Sequence, residues 1–264
     1  MIRNFKLEIE RNIKSIFLSG CMIMLLVLFA YSDSISIIHQ YGKFKWGEWT
    51  NILLNDTYTA IYGFSFVFLY LLIIWNRKKE NEMYFLIRYK NRDDYYTQKY
   101  YKNILLIIIV MLWILVCGCM TEFFCSSIQN EMSTAFQKYC EVYGYSIRDY
   151  KLIESIVLYF LLFFTNMNVY FLYSDRIHSI PGVLCICGGG VFLLGGATLG
   201  AFGEQLRCMS IFTWGRGFEV MNIGFFIRIG IFVILNSILI FINFIGFRRR
   251  ELRYEKGNKQ YQTE

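Results

Sequence analysis

Long apolar runs separated by short polar ones set the pattern of this chain. Six runs stand out, at residues 16–38, 57–75, 104–120, 153–173, 182–203 and 225–247. Each approaches the roughly 20 residues that a helix needs to cross the hydrocarbon core of a bilayer. What lies between them is too short to hold a soluble domain. The pattern predicts an all-α integral membrane protein, a single transmembrane domain of six helices over residues 1–264.

Outside the runs, residues 126–143 place Ile128, Met132, Ala135, Phe136, Tyr139, Val142 and Tyr143 at spacings of three and four. That periodicity predicts an amphipathic helix lying on the outer leaflet or over the spans. Trp46 and Trp49, in the first outer connection, suit the membrane interface. Polar residues inside the runs are few: Asn166 and Asn168 in the fourth, Asn236 and Asn243 in the sixth, Asp33 near the end of the first. An intramembrane ionisable group is a functional candidate by default, but Asp33 is close enough to the surface to be hydrated. Arg228 is expected to snorkel outward. The fifth run crowds Gly188, Gly189, Gly190, Gly195, Gly196, Gly200 and Gly203, with Gly196 and Gly200 forming G-x-x-x-G. In lipid, small residues let helix backbones approach closely, so this helix is expected to be buried against protein, either within one subunit or between two.

Charge then orients the helices. Nineteen Lys and Arg residues fall in 1–15, 76–103, 174–181 and 248–264, against seven in the alternate connections. Cytoplasmic connections are enriched in Lys and Arg, so both termini are expected in the cytoplasm. The net charge of +7 then reads as topology and contact with anionic lipid headgroups, and nucleic acid is not an expected partner. A basic start followed by an apolar run also resembles a signal peptide. This run is longer than a signal core and no small-x-small site follows, which favours a retained first span.

Candidate chemistry adds little. Cys117/Cys119 and Cys185/Cys187 are C-x-C pairs, whose members point about 200° apart on a helix, so no metal site is expected. Cys125, Cys140 and Cys208 fall on the predicted outer side, where a Cys125–Cys140 disulfide is one option. His39 and His178 lie on opposite faces. The GFSF sequence at 63–66 has the serine of intramembrane proteases but no span offers a histidine base. There is no H-E-x-x-H and no G-x-x-x-x-G-K-[ST]. The chain is not expected to be an enzyme, and any ATP it depends on must bind a separate subunit.

The connection MYFLIRYKNRDDYYTQKYYKNI, residues 83–104, is aromatic and basic together. NRDD reads as an N-cap with acidic residues in a first turn. The segment therefore predicts a short helix at about 79–90, a break, and a second helix from Arg92 that feeds the third span. It could lie on lipid with its Lys and Arg snorkelling, or dock a soluble partner.

The whole pattern resembles the permease subunits of type-2 ABC exporters. The basic N-terminal MIRNFKLEIERNIK matches the amphipathic helix of that family, and EMYFLIRYKNRDDYYTQKYYKN matches its coupling helix. The short SDRIHSIP matches its second cytoplasmic connection, and EQLRCMSIFTWGRGFEVMNI its outer element between spans five and six. The resemblance covers the chain but is architectural, with RYKNRDDYYTQK its most specific part. It implies a homo- or heterodimer of permeases in a bacterial cell membrane, bound to two cytoplasmic ATPase subunits that hold ATP and Mg. The chain itself would carry no cofactor. Phe85, Arg88, Tyr89 and Arg92 would meet the ATPase, with Asp175 and Arg176 in the second cytoplasmic connection and Gly196 and Gly200 packing helices. Family members of this size often export antimicrobial peptides or lipophilic compounds. The competing readings are a non-transporting scaffold or sensor subunit and, further off, an intramembrane enzyme.

The charge asymmetry has a direct check. In a background without native cysteines, single cysteines at Lys79 and Tyr254 are expected to be shielded from impermeant thiol reagents in intact cells, and one at Lys138 to be labelled. Labelling at Lys79 from outside would invert the orientation.

Overall fold

A computed structural model describes residues 2–76, 92–128, 131–143, 151–174, 180–199 and 224–261, with single positions at 201, 205, 210 and 212. Among these, helix dominates. The long helices are α1 (Ile2–Tyr41), α3 (Ser65–Asn76, entered through a π-helical segment Thr57–Phe64), α4 (Arg92–Cys125), α6 (Leu152–Ser174), α7 (Ile180–Thr198) and α8 (Phe225–Tyr261). Two short helices, α2 (Glu48–Asn55) and α5 (Thr134–Tyr143), lie in the connections, with a two-residue parallel pairing of β1 (Phe44–Lys45) to β2 (Ser126–Ser127).

Among the described residues, six helices are long and apolar enough to cross a membrane: Asn12–Tyr41, Tyr58–Asn76, Tyr96–Cys125, Leu152–Ser174, Pro181–Thr198 and Phe225–Phe247. They coincide with the six apolar runs to within a few residues at most ends and mark the chain as a membrane-embedded, all-α protein. Helix continuity departs from the apolar pattern at both ends of the chain. The basic N-terminal segment is one helix with the first span, and α8 runs on from Phe247 to Tyr261. Good helix formers such as Glu, Lys and Arg let a helix outlast its apolar stretch.

Helix directions follow from paired contacts. On α1, Gly20 faces Trp113 of α4, while Tyr31 further on meets Trp49, which bonds Thr121 of α4. Helices α1 and α4 therefore run in the same direction. At the start of α4, Tyr96 packs on Phe244 and Phe247 of α8, which runs the opposite way. The start of α4 and the far end of α8 thus share one end of the bundle, and α2 and α5 lie at the other.

Helix α1 stops at Gly42, whose N–H donates to Ile38 O and whose φ of 88° suits glycine. The chain then turns through Gly47, φ 92°, straight into α2. This helix was not expected from the sequence, because its eight residues, EWTNILLN, are too few for a periodicity to show. Seven of the eight are buried. Trp49 is fully buried, stacked on Phe44 and bonded to Thr121 Oγ1, which corrects its assignment to the membrane interface. Trp46 does remain 45% exposed, edge-on to Phe123.

The expected amphipathic helix over 126–143 is also shorter than the pattern indicated. Ser126–Ser127 pairs with Phe44–Lys45 instead, and the helix begins only at Thr134, capped by Ser133 Oγ accepting from Phe136 N–H at 3.0 Å. It does bury one face, through Ala135, Phe136, Tyr139 and Cys140, and packs against α1. Cys125 and Cys140 are free thiols, so the disulfide option is corrected: Cys125 Sγ instead meets Thr121 O at 3.3 Å. Arg228 is 5% exposed, packed inside the protein rather than snorkelled to the surface.

Inside the bundle, three helices meet through side-chain amides. Tyr100 OH donates to Asn168 Oδ1 at 2.8 Å, Asn168 Nδ2 to Asn236 Oδ1 at 2.8 Å, and Asn236 Nδ2 to Thr165 Oγ1 at 2.9 Å. Asn243 Nδ2 donates to Asn168 O at 3.0 Å. In lipid each such interhelical bond contributes about 0.5–2 kcal/mol. Replacing Asn168 by Leu is expected to destabilise the protein in detergent by a few times that amount, since Tyr100 and Asn236 both lose a partner. The double variant Asn168→Leu/Asn236→Leu should cost less than the sum of the single ones, by about 0.5–2 kcal/mol. Additive costs in an unfolding titration would show the two amides acting independently.

Candidate functional site

The first polar cluster sits at the α2 end of the bundle. Glu122, 1% exposed, accepts from Gly47 N–H at 2.5 Å and from Thr50 Oγ1 at 2.9 Å. A buried carboxylate is stable only with such donors around it. Close passage of α2 over α4 makes them available: a Cβ on Gly118 would come within 3.2 Å of Thr50 Oγ1. Glu48 plays a similar part for α5, accepting from Ser133 N–H at 3.1 Å and from Ser133 Oγ. Asn51, Asn55 and Ser155 close a third knot between α2 and α6, with Ser155 Oγ donating to Asn51 Oδ1 at 2.6 Å. These clusters tie α2 to α4, α5 and α6 and so hold the fold together.

Beside them, the π-helical segment changes what the second span presents. Asp56 caps it, accepting from Thr59 N–H at 2.7 Å, and Tyr139 OH reaches the other carboxylate oxygen at 3.3 Å. Widening a helical turn loosens its regular bonding. The Ala60 carbonyl here accepts from Ser65 Oγ at 3.3 Å and from the Tyr159 hydroxyl. Ser65 of the GFSF sequence is thereby buried and bonded within the helix pair. Between α1, α2, the π-helical segment and α5 lies a cavity of about 540 Å³, with Asp33, Asp56 and four tyrosines in its wall.

At the opposite end, Asn76 and Asn103 exchange amide bonds at 2.9 and 3.3 Å, and Lys102 Nζ donates to Trp75 O at 3.3 Å. The end of α3 and the first turns of α4 are clamped together by these bonds. Phe85, Arg88, Tyr89, Asp175, Arg176 and Gly200 lie outside the described residues. Arg92 opens α4, where the sequence expects a second helix to begin.

On the glycine-rich helix, Val183, Cys187, Gly188, Val191, Gly195 and Thr198 form the buried stripe. Close approach occurs at Gly195: a Cβ there would meet the Tyr62 ring at 2.7 Å. At Gly188 the neighbour is Phe66, at 3.3 Å. These glycines make room for aromatic rings of the second span. Gly196, one position on, is half-buried, and Phe192 and Leu193 are exposed, so within this chain the helix is buried along one stripe only. In both C-x-C pairs one thiol is buried and the other exposed, Cys117 against Cys119 and Cys187 against Cys185.

No family model matches this chain, and no curated protein or solved structure matches it either.

Cys140, beside Tyr139 on the buried face of α5, has its thiol pushed up to about 12, first by burial and then by the charge of Glu48. It is expected to resist maleimide in the folded protein up to about pH 10 and to react once the protein is unfolded. The neutral thiol's contribution to stability is complete below the ordinary value of 9.0 and is lost as pH rises towards about 12. Cys140→Ala should remove part of the alkaline fall in thermal stability. Rapid labelling of native Cys140 at pH 8 would contradict its placement.

Proposed function

We propose that this chain is the permease subunit of an ATP-driven exporter, working as a dimer with separate cytoplasmic ATPase subunits that bind ATP and Mg. The clamp between Asn76 and Asn103 is the observation that best supports this reading. It ties together the two helix ends from which residues 77–91 depart, so a force applied to that connection would reach α3 and α4 as a unit. Helix α4 also starts 12 residues ahead of the apolar run, a lever of about 18 Å at 1.5 Å per residue. Its base is braced by Tyr96 on Phe244 and Phe247 and by Lys99 over the Phe171 ring.

On this reading both termini are cytoplasmic, in agreement with the distribution of Lys and Arg. Phe85, Arg88, Tyr89 and Arg92 dock in a groove of the ATPase, with Asp175 and Arg176 of the other cytoplasmic connection beside them. Gly196 and Gly200 serve helix packing, and antimicrobial peptides or lipophilic compounds are the substrates in view.

Interfaces concentrate their energy in a few aromatic and Arg anchors, each costing about 2 kcal/mol or more when truncated. Phe85→Ala with Tyr89→Ala is therefore expected to leave insertion and expression unchanged, since neither residue lies in a span. It should release the ATPase during purification in mild detergent, or uncouple hydrolysis from transport. If the wild-type protein copurifies with no ATPase, and none can be reconstituted with it from the same cells, the scaffold or sensor reading replaces this one.

A further inference from the structure

The cavity of about 540 Å³ falls in the range of roughly 300–1,000 Å³ typical of small-molecule sites. Asp33 and Asp56 share its wall with the rings of Tyr58, Tyr62, Tyr139 and Tyr143, and among the described residues no Lys, Arg or His lines it. Among the described residues, neither carboxylate has a cationic partner. Asp56 is pinned by the Thr59 N–H and the Tyr139 hydroxyl. A carboxylate accepts about four hydrogen bonds, so these two leave it able to meet a further positive group. The remaining wall includes Leu26 and Phe29 of α1, and Phe29 is itself largely exposed on the flank of the bundle.

Each feature selects a ligand. Two unpaired carboxylates favour a cation, and tyrosine faces attract one through the ring quadrupole. A bare calcium ion takes six or more oxygens within about 2.6 Å, and a roomy, ring-lined cavity does not gather them. The apolar side along α1 suits a ligand with a hydrophobic body, arriving from the bilayer past Phe29. We propose that this cavity binds a lipophilic organic cation, its charge set between Asp33 and Asp56 and its apolar body against Leu26, Phe29 and the tyrosine rings. Binding of this kind requires no ATPase and holds for a permease or a sensor alike, so its test is separate from that of the permease reading.

The test is equilibrium binding of radiolabelled tetraphenylphosphonium to the full chain in uncharged maltoside detergent, with empty micelles as background. Saturable binding of one cation per chain is expected. Asp33→Asn and Asp56→Asn should each weaken it about tenfold; asparagine at 56 also keeps the cap of the π-helical segment. Tyr58→Leu should weaken it by a smaller factor, about threefold. Tyr58 is 62% exposed, so this variant and Asp33→Asn report on binding even if Asp56→Asn fails to fold. Neutral triphenylphosphine oxide should compete at least about tenfold more weakly than the unlabelled cation. Binding no greater than to empty micelles, wild-type affinity in both Asp33→Asn and Tyr58→Leu, or equal competition by the neutral compound would each overturn the proposal.

Discussion

Asn168 sits where three helices meet, and its side chain is committed to all of them. Its oxygen receives Tyr100 of α4, its nitrogen donates to Asn236 of α8, and the backbone oxygen of the same residue receives Asn243. Lipid offers no substitute for any of these partners, since hydrocarbon holds no water to bond. Apolar surface cannot align the helices either, because leucine against leucine is no better there than leucine against lipid. What aligns them is the requirement that each amide find its own acceptor. A slide of one turn of α8 along α6 would separate Asn236 from Thr165 and Asn243 from Asn168 together. The stacked rings of Phe68 and Phe163, 4.5 Å between centroids, add dispersion to a register already chosen.

The same constraint explains why the other end of the bundle is built differently. There the chain places Glu48, Glu122, Asn51 and Asn55 close together, and α2 folds in to satisfy them. A helix of eight residues is marginal alone. It persists because Thr50 and the Gly47 N–H at its start are the donors that Glu122 needs and because Trp49 fills the space beneath. Folding α2 inward brings Asp56 and the π-helical segment against α1 and α5, and the cavity is the space this arrangement leaves. Its acidic and aromatic wall is thus a consequence of how the buried carboxylates beside it are satisfied.

Much of the bundle was legible in the sequence, for physical reasons. Apolar runs of 20 residues are long enough that no competing structure fits them, so the spans appear almost where the hydropathy put them. The amides of the fourth and sixth runs were visible as polar exceptions, but not who partners whom, since that depends on helix contacts distant in sequence. Trp49 was misplaced for a related reason: an amphipathic ring in a short outer connection suits the interface equally well until Thr121 is known to face it. The cavity was less legible still. Only Asp33 of its two carboxylates stood out as an exception within an apolar run, and the π-helical turn that sets Asp56 and Tyr62 beside it has no signature in TYTAIYGF.

The two ends of the bundle also differ in what they permit. At the α2 end, hydrogen bonds cross between distant elements: Gly47 to Glu122, Glu48 to Ser133, Asn51 to Ser155. Moving any one helix there breaks several bonds whose groups have nowhere else to go. At the other end, Asn76 bonds Asn103 and Tyr96 packs against the aromatic rings of α8. Aromatic contacts of this kind can slide at small cost, because a tilted ring pair has no single required geometry. On the permease reading, ring contacts that slide at this end would let α3 and α4 pivot together about the α2 knot, with Gly195 against the Tyr62 ring as a point where added bulk would jam the movement. On the permease reading, a push received between residues 77 and 91 would then be felt at the cavity through the second span, since Asp56, Tyr58 and Tyr62 head the same continuous helix that ends at Asn76.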